Sequence, residues 1–234
     1  MRLAHPPIVE MVVDIDCDLP ADLEIADLEQ RARELYSDRY PGFRRILHPL
    51  PGFGDIREAT YAFQFLEEGP GLVQLRRDGF SFNRFPPYTD LDEYLPEIRR
   101  AWQIFVDLVA PVAIRRIGLR YINHILVPSG LRIADLNEYL HLGSGLPDDM
   151  TLKFNEYLAI EDVTGNEVRV RMVIDAQERP DQPPPVILDI AGSRRHSADP
   201  QVWENIETTI LGLRRMANAV FQSSLTEQCL TLFR

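Results

Sequence analysis

Ile8-Val9-Glu10-Met11-Val12-Val13-Asp14-Ile15-Asp16-Cys17-Asp18 sets Val9, Met11, Val13, Ile15 and Cys17 against Glu10, Asp14, Asp16 and Asp18 in alternation. A period of two puts the two sets on opposite sides of an extended chain, so the stretch predicts a strand with one buried and one polar face. Strands of this kind belong to antiparallel sheets covered on one side only.

Downstream, Ile25, Leu28, Ala32 and Leu35 recur at helical spacing and predict a short helix from Glu24 to Tyr36, stopped by Pro41-Gly42. Phe43 to Gly54 reads as a loop or an edge strand. Strands at Ala59–Leu66, Gly71–Arg77 and Gly79–Phe85 make a meander, the first two joined by the turn residues Glu68-Gly69-Pro70-Gly71. Thr89 offers an N-cap, with Asp90, Asp92 and Glu93 placed to complement the dipole of the next helix. Its apolar stripe runs through Leu91, Leu95, Ile98, Trp102, Phe105 and Val109 to Pro111.

The order then repeats. A strand is expected from Ala113 to Val127, a short helix from Ile133 to Leu140, and strands at Leu152–Glu161, Glu167–Ala176 and Val186–Ala191. Arg179 to Pro185 reads as a hairpin loop. A long helix follows, with Asp199 as N-cap, Pro200 in its first position and a stripe from Trp203 through Ile206, Ile210, Leu213 and Ala217 to Leu225. Ile25-Ala26-Asp27-Leu28-Glu29 is echoed by Ile133-Ala134-Asp135-Leu136-Asn137 in the same slot of the order, which favours duplication. The expected fold is α+β: two pseudo-repeated β-α-β-β-β-α halves, 1–111 and 112–234, in a single compact unit. They share a mostly antiparallel sheet with helices on one face, because the junction Val109-Ala110-Pro111-Val112-Ala113 is too short and apolar for a linker.

A chain of 234 residues buries enough surface to fold without disulfide or metal staples. Cys17 and Cys229 lie at opposite ends, no apolar run is long enough for a bilayer, and the first residues lack the blocks of a signal peptide, so a cytoplasmic location is expected. The net charge of −11 comes from 25 basic and 36 acidic residues and disfavours loose binding to nucleic acid or anionic lipid. Both halves are acidic, −8 for residues 1–111 and −3 for the rest.

Asp14-x-Asp16-x-Asp18 has the spacing with which nucleotidyl-transfer enzymes hold two metal ions, but no glycine-rich phosphate loop precedes it, and a solvated strand face is the plainer reading. His5, His48, His124, His141 and His196 are scattered without metal-ligand spacing, so no metal and no cofactor is expected. No nucleophile elbow, Walker or dinucleotide glycine pattern is present. Two groups could hold an anion. Arg84, Arg120, His124 and Tyr121 would do so by arginine forks, with Gly118 allowing close approach; cross-strand charge pairing is the plainer use of such positions. Arg194, Arg195 and His196 lie in a basic stretch, Ser193 to Ser197, read as a loop entering the last helix, where Asp199 would compete with an anion. Phe80, Phe82 and Phe85 have strand spacing that suits a core better than base stacking.

Pro6-Pro7-Ile8-Val9-Glu10, Phe82-Asn83-Arg84-Phe85 with Pro87-Tyr88, and Arg116-Ile117-Gly118-Leu119-Arg120-Tyr121-Ile122-Asn123 together resemble a sporadically distributed family of uncharacterised bacterial proteins. The resemblance covers essentially the whole chain and its last stretch is the most specific; it implies one full-length unit and supplies no catalytic residues. The expected function is a non-enzymatic binding or protein-interaction module, an accessory of a mobile or defence-type gene system, with a protein partner or self-association. The alternatives are an enzyme acting on a phosphorylated or carboxylated small molecule through the Arg/His group, and a saddle-like nucleic-acid binder resembling TATA-binding proteins in outline.

Overall fold

The computed structural model of the chain describes residues 3–50, 57–126, 138–141, 155–161, 165–174 and 186–233. β1 (Ile8–Asp18) leads to a 3-10 turn (Ile25–Leu28) and α1 (Glu29–Tyr36). Four strands follow, β2 (Gly42–Leu50), β3 (Arg57–Leu66), β4 (Gly71–Arg76) and β5 (Gly79–Arg84), and then α2 (Leu91–Val109). β6 (Ala113–Ile125), β7 (Asn155–Glu161), β8 (Asn166–Ile174) and β9 (Val186–Ala198) precede α3 (Trp203–Ser224) and α4 (Glu227–Thr231).

The strands form one nine-stranded sheet in the order β2-β3-β4-β5-β1-β6-β9-β8-β7, and each neighbouring pair is antiparallel. β1 and β6 meet at its middle, with Val13 opposite Leu119 and Ile15 opposite Ile117. The register carries one apolar row across the sheet: Phe65, Val73, Phe82, Val13 and Leu119, continued by Gly192 and Val168. These residues are buried beneath the helices. α1 packs on β3 and α2, α2 on β5, and α3 on β6, β8 and β9. Trp102 of α2 stacks on Phe105, meets Phe80 edge-on, and donates its indole N–H to the Pro200 carbonyl at 3.0 Å, tying α2 to the segment before α3.

Several boundaries differ from the sequence-based expectation. The stretch left as a loop or edge strand is β2, at the sheet's edge. The expected helix from Glu24 begins as a 3-10 turn, whose three-residue period shifts the phase of the stripe. Leu35 is therefore exposed, and Tyr36 takes the buried position with its hydroxyl donating to Ala101 O at 2.7 Å. Asp90, not Thr89, caps α2 by accepting from the Asp92 N–H, while the Thr89 N–H donates to the Tyr94 hydroxyl. β9 runs on to Ala198, so Ser193 to Ser197 is strand and not a loop. Asp199 and Pro200 are consumed in the turn that follows, where Asp199 Oδ1 accepts from Gln201 N, and α3 starts only at Trp203 without a side-chain cap. Most of the second short helix, the beginning of the strand expected from Leu152 and the hairpin loop Arg179–Pro185 lie outside the described residues; Leu140 is seen bridged to Leu225. Among the described residues no helix is long and apolar enough to cross a membrane.

Candidate functional site

The face of the sheet turned away from the helices is polar and tied together across strands. Gln64 donates to Gln74 (3.1 Å), Gln74 to Asn83 (3.4 Å), and Asn83 to Glu10 (2.7 Å), a relay over β3, β4, β5 and β1. Asn83 and Ser81 are buried although they belong to this face, because neighbouring side chains lie over them. An ionic ladder continues the pattern: Arg76 reaches Asp16 (2.6 Å), Arg116 bridges Asp16 (2.7 Å) and Asp14, and Arg120 grips Asp189 with both fork nitrogens (2.8 and 2.6 Å).

Asp14 and Asp16 are thus committed to guanidinium groups rather than solvated, and Asp18 beside them contacts Arg115. Burial raises the Asp14 carboxyl above its usual range, against the lowering influence of the Arg116 and Arg76 charges. Burial also works against the Arg116 charge, but its two aspartates outweigh that and raise its pKa. The space left by Gly118 is filled by this pair: a Cβ there would lie 2.7 Å from Asp14 Oδ1 and 2.8 Å from Arg116 Nη1. Among the described residues no group of three or more His, Cys, Asp or Glu could hold a metal ion.

The first expected anion-binding quartet is divided between the two faces. Arg84 lies on the helix-bearing face, opposite Met11, with Nη1 on Glu67 (2.7 Å) and its guanidinium 5.0 Å from the Tyr94 ring centre. Tyr121 shares that face, while Arg120 and His124 project from the other. Cross-strand pairing also divides the second group. Arg194 faces the helices opposite Ile117, and Arg195 faces the polar side opposite Arg116. His196 continues the backbone of β9. Arg120, opposite Ala191, and Arg195, opposite Arg116, line the two ends of one cleft of about 430 Å³ that Arg116, Arg169 and Arg171 also line. Arg169 and Arg171 were missed in the sequence; their period-two spacing after Glu167 on a strand was the available signal.

A second cavity, of about 320 Å³, opens on the helix-bearing face where the first and second parts of the chain meet. The N-terminal segment supplies Pro6, Pro7 and Ile8, the stretch before α2 supplies Tyr88 and Asp90, β6 supplies Tyr121 and Asn123, and α3 supplies Arg214 and Phe221. Its placement follows from backbone pairing: His5 N donates to Phe233 O (3.0 Å) and His124 N to Pro7 O (2.8 Å), which fasten the N-terminal segment over the sheet. Inside, the Tyr88 and Tyr121 rings meet edge-on at 6.0 Å. Burial pushes the Tyr121 hydroxyl up to about 12 and that of Tyr88 higher still, so both remain neutral donors at physiological pH. Asn123, 2% exposed, donates to Leu188 O at 2.9 Å. Arg214 closes one side by bridging Asp92 (2.8 Å) and Asp90 (3.2 Å). The stretches Pro6 to Glu10, Phe82 to Tyr88 and Arg116 to Asn123 all contribute to this one cavity. No protein-family model matches the chain, and no curated protein matches its sequence.

Proposed function

We propose that the protein is a binding module rather than a catalyst, and that its binding site is the cavity between the N-terminal segment, β6 and α3. The observation that carries this reading is the meeting of those three stretches at a half-enclosed cavity with aromatic and amide walls. Arg214 and Arg215 balance Asp90 and Asp92 in the lining, so the cavity asks for an uncharged, partly apolar group, one small ligand or one side chain of a protein partner.

The strand order supports a duplication in which β1, β5, β4 and β3 correspond to β6, β9, β8 and β7, and α2 corresponds to α3. On that reading the cavity lies at the seam between copies, where two similar halves leave room that neither fills. The same order favours a saddle-like nucleic-acid binder in outline. Against it, the polar face of the first half presents Gln64, Gln74, Ser81 and Asn83 where a phosphate backbone would need cations.

Native mass spectrometry of the full chain purified from its own host tests the proposal. A stoichiometric added mass, small molecule or protein, is expected, and it should be lost in Asn218→Trp, which places an indole at the exposed rim of the cavity without disturbing the core. A chain that carries nothing, or one whose partner is held equally well by Asn218→Trp, sinks the proposal.

A further inference from the structure

The arginine cleft lies on the opposite side of the sheet from the seam cavity and shares no lining residue with it. We propose that this cleft, bounded by Arg116, Arg120, Arg169, Arg171 and Arg195, binds a ligand carrying two or more linked phosphates.

Register builds the site. Arg116 on β6 stands opposite Arg195 on β9, and two residues farther along the strands Gly118 stands opposite Ser193. Two residues farther again come Arg120, Ala191 and Arg169 in line across β6, β9 and β8. Gly118 and the small side chain of Ser193 keep the floor low between the two rows, and Ala191 does so between Arg120 and Arg169. The rows are four residues apart, about 13 Å at the usual rise of an extended strand. Guanidinium arms reaching inward over that span can be bridged by a diphosphate or triphosphate, and not by a single carboxylate.

Charge narrows the choice in the same direction. The cleft sets five guanidinia against the carboxylates of Asp14 and Asp189, in a chain whose net charge is −11. Asp16 and Glu167 hold Arg116 and Arg169 from the rim. These pairs orient the arms without exhausting them, since a guanidinium has five N–H donors and a carboxylate fork engages two. Arg120 binds Asp189 through Nε and Nη2, which leaves Nη1 for a ligand, and Arg195 is exposed at the other end of the cleft. Arginine suits phosphate oxygens better than lysine because its planar fork matches them two at a time. The acidic remainder of the molecule repels polyanions at a distance, so recognition is confined to direct contact.

Calorimetric titration of the full chain with sodium pyrophosphate, a nucleoside triphosphate, inorganic phosphate and a single-stranded oligonucleotide decides the matter. Pyrophosphate and the triphosphate should bind more tightly than inorganic phosphate, with a loss of about tenfold or more in Arg195→Gln and in Arg169→Gln. Arg195→Lys should recover part of that loss by restoring the charge without the fork. Should Arg169→Gln destabilise the fold, Arg195→Gln at its exposed position carries the test alone. If the oligonucleotide alone binds and both variants weaken it, the phosphate chemistry stands and its source is a nucleic-acid backbone. Asn218→Trp at the seam should leave all these affinities unchanged, which separates this site from the other. Absence of binding by every phosphate compound, equal affinity for pyrophosphate and inorganic phosphate, or unaltered binding in Arg195→Gln overturns the proposal.

Discussion

Replacing Gly79 by alanine tests how closely the two strands at the heart of the sheet approach each other. Gly79 opens β5 opposite Asp16 of β1, with φ at +149°, a backbone conformation that side chains rarely tolerate. A Cβ there would lie 2.0 Å from the Ile15 carbonyl oxygen and 2.9 Å from the Asp16 Cα, more than an ångström inside ordinary contact with the oxygen. The obstruction is backbone, so no side chain can swing aside. Strain of this conformation costs about 1–3 kcal/mol, and forcing the strands apart adds about 1–3 kcal/mol of overpacking. The expected loss is about 4 kcal/mol, a large share of the roughly 5–15 kcal/mol that holds a typical domain folded. In a chain of this size that lowers Tm by roughly 8–16 °C. Gly165→Ala is the matched control: its φ is also positive, at +79°, but nothing lies within 4 Å of the added carbon, and about 1–2 kcal/mol of conformational strain is all that is expected. Urea unfolding followed by circular dichroism gives both values. A Gly79→Ala variant within about 1 kcal/mol of the parent, or indistinguishable from Gly165→Ala, would falsify the close approach of β1 and β5.

Trp102→Ala removes a buried indole wedged between Phe80 and Phe105 together with its hydrogen bond to Pro200, and should cost about 3–5 kcal/mol in the same urea assay. Arg116→Met strips Asp14 and Asp16 of the guanidinium they share and should cost about 3–5 kcal/mol at neutral pH. Asp14, whose folded pKa is already raised, then disfavours the fold while ionised, so thermal melts should show the deficit of Arg116→Met shrinking as the pH falls and Asp14 takes up a proton. Glu97 has the opposite sign. Burial would raise its carboxyl, but hydrogen bonds from Arg39 and Tyr40 and nearby arginine charges lower it below the ordinary 4.5. Its contribution is therefore present above pH 4.5 and lost as the pH falls through the lowered folded value, and melts between pH 3 and 6 should show a shallower acid loss in Glu97→Gln than in the parent.

The elements that could be read from the sequence are those whose pattern is local. Met11, Val13, Ile15 and Cys17 are buried as the period of two in β1 requires, and the stripes of α2 and α3 fall on the core side. Ser193 to Ser197 misled because the far end of β9 carries no apolar alternation, and its strand character comes from β6 alongside it. Asp199-Pro200 is a strong helix-start signal on its own, but here the turn leaving an extended strand uses it first. The sites were less legible for a related reason. Arg120 and Arg195 are each identifiable in the sequence, yet they come to line one cleft only through the pairing of β6 with β9, whose partners here lie 71 and 79 positions apart. Residue type alone groups Arg84 and Tyr121 with Arg120 and His124, and the alternation of strand faces separates them.

The placement of β1 also bears on how the chain matures. As the chain is synthesised, β1 gains one neighbour, β5, within the next 70 or so residues, while the other, β6, arrives only after α2 is complete. Until then the growing polypeptide presents a bare strand edge next to the apolar side chains of Met11, Val13 and Ile15, the kind of surface that recruits other unfinished chains. Chaperones that meet the nascent chain in that interval act on a molecule whose central seam is still open.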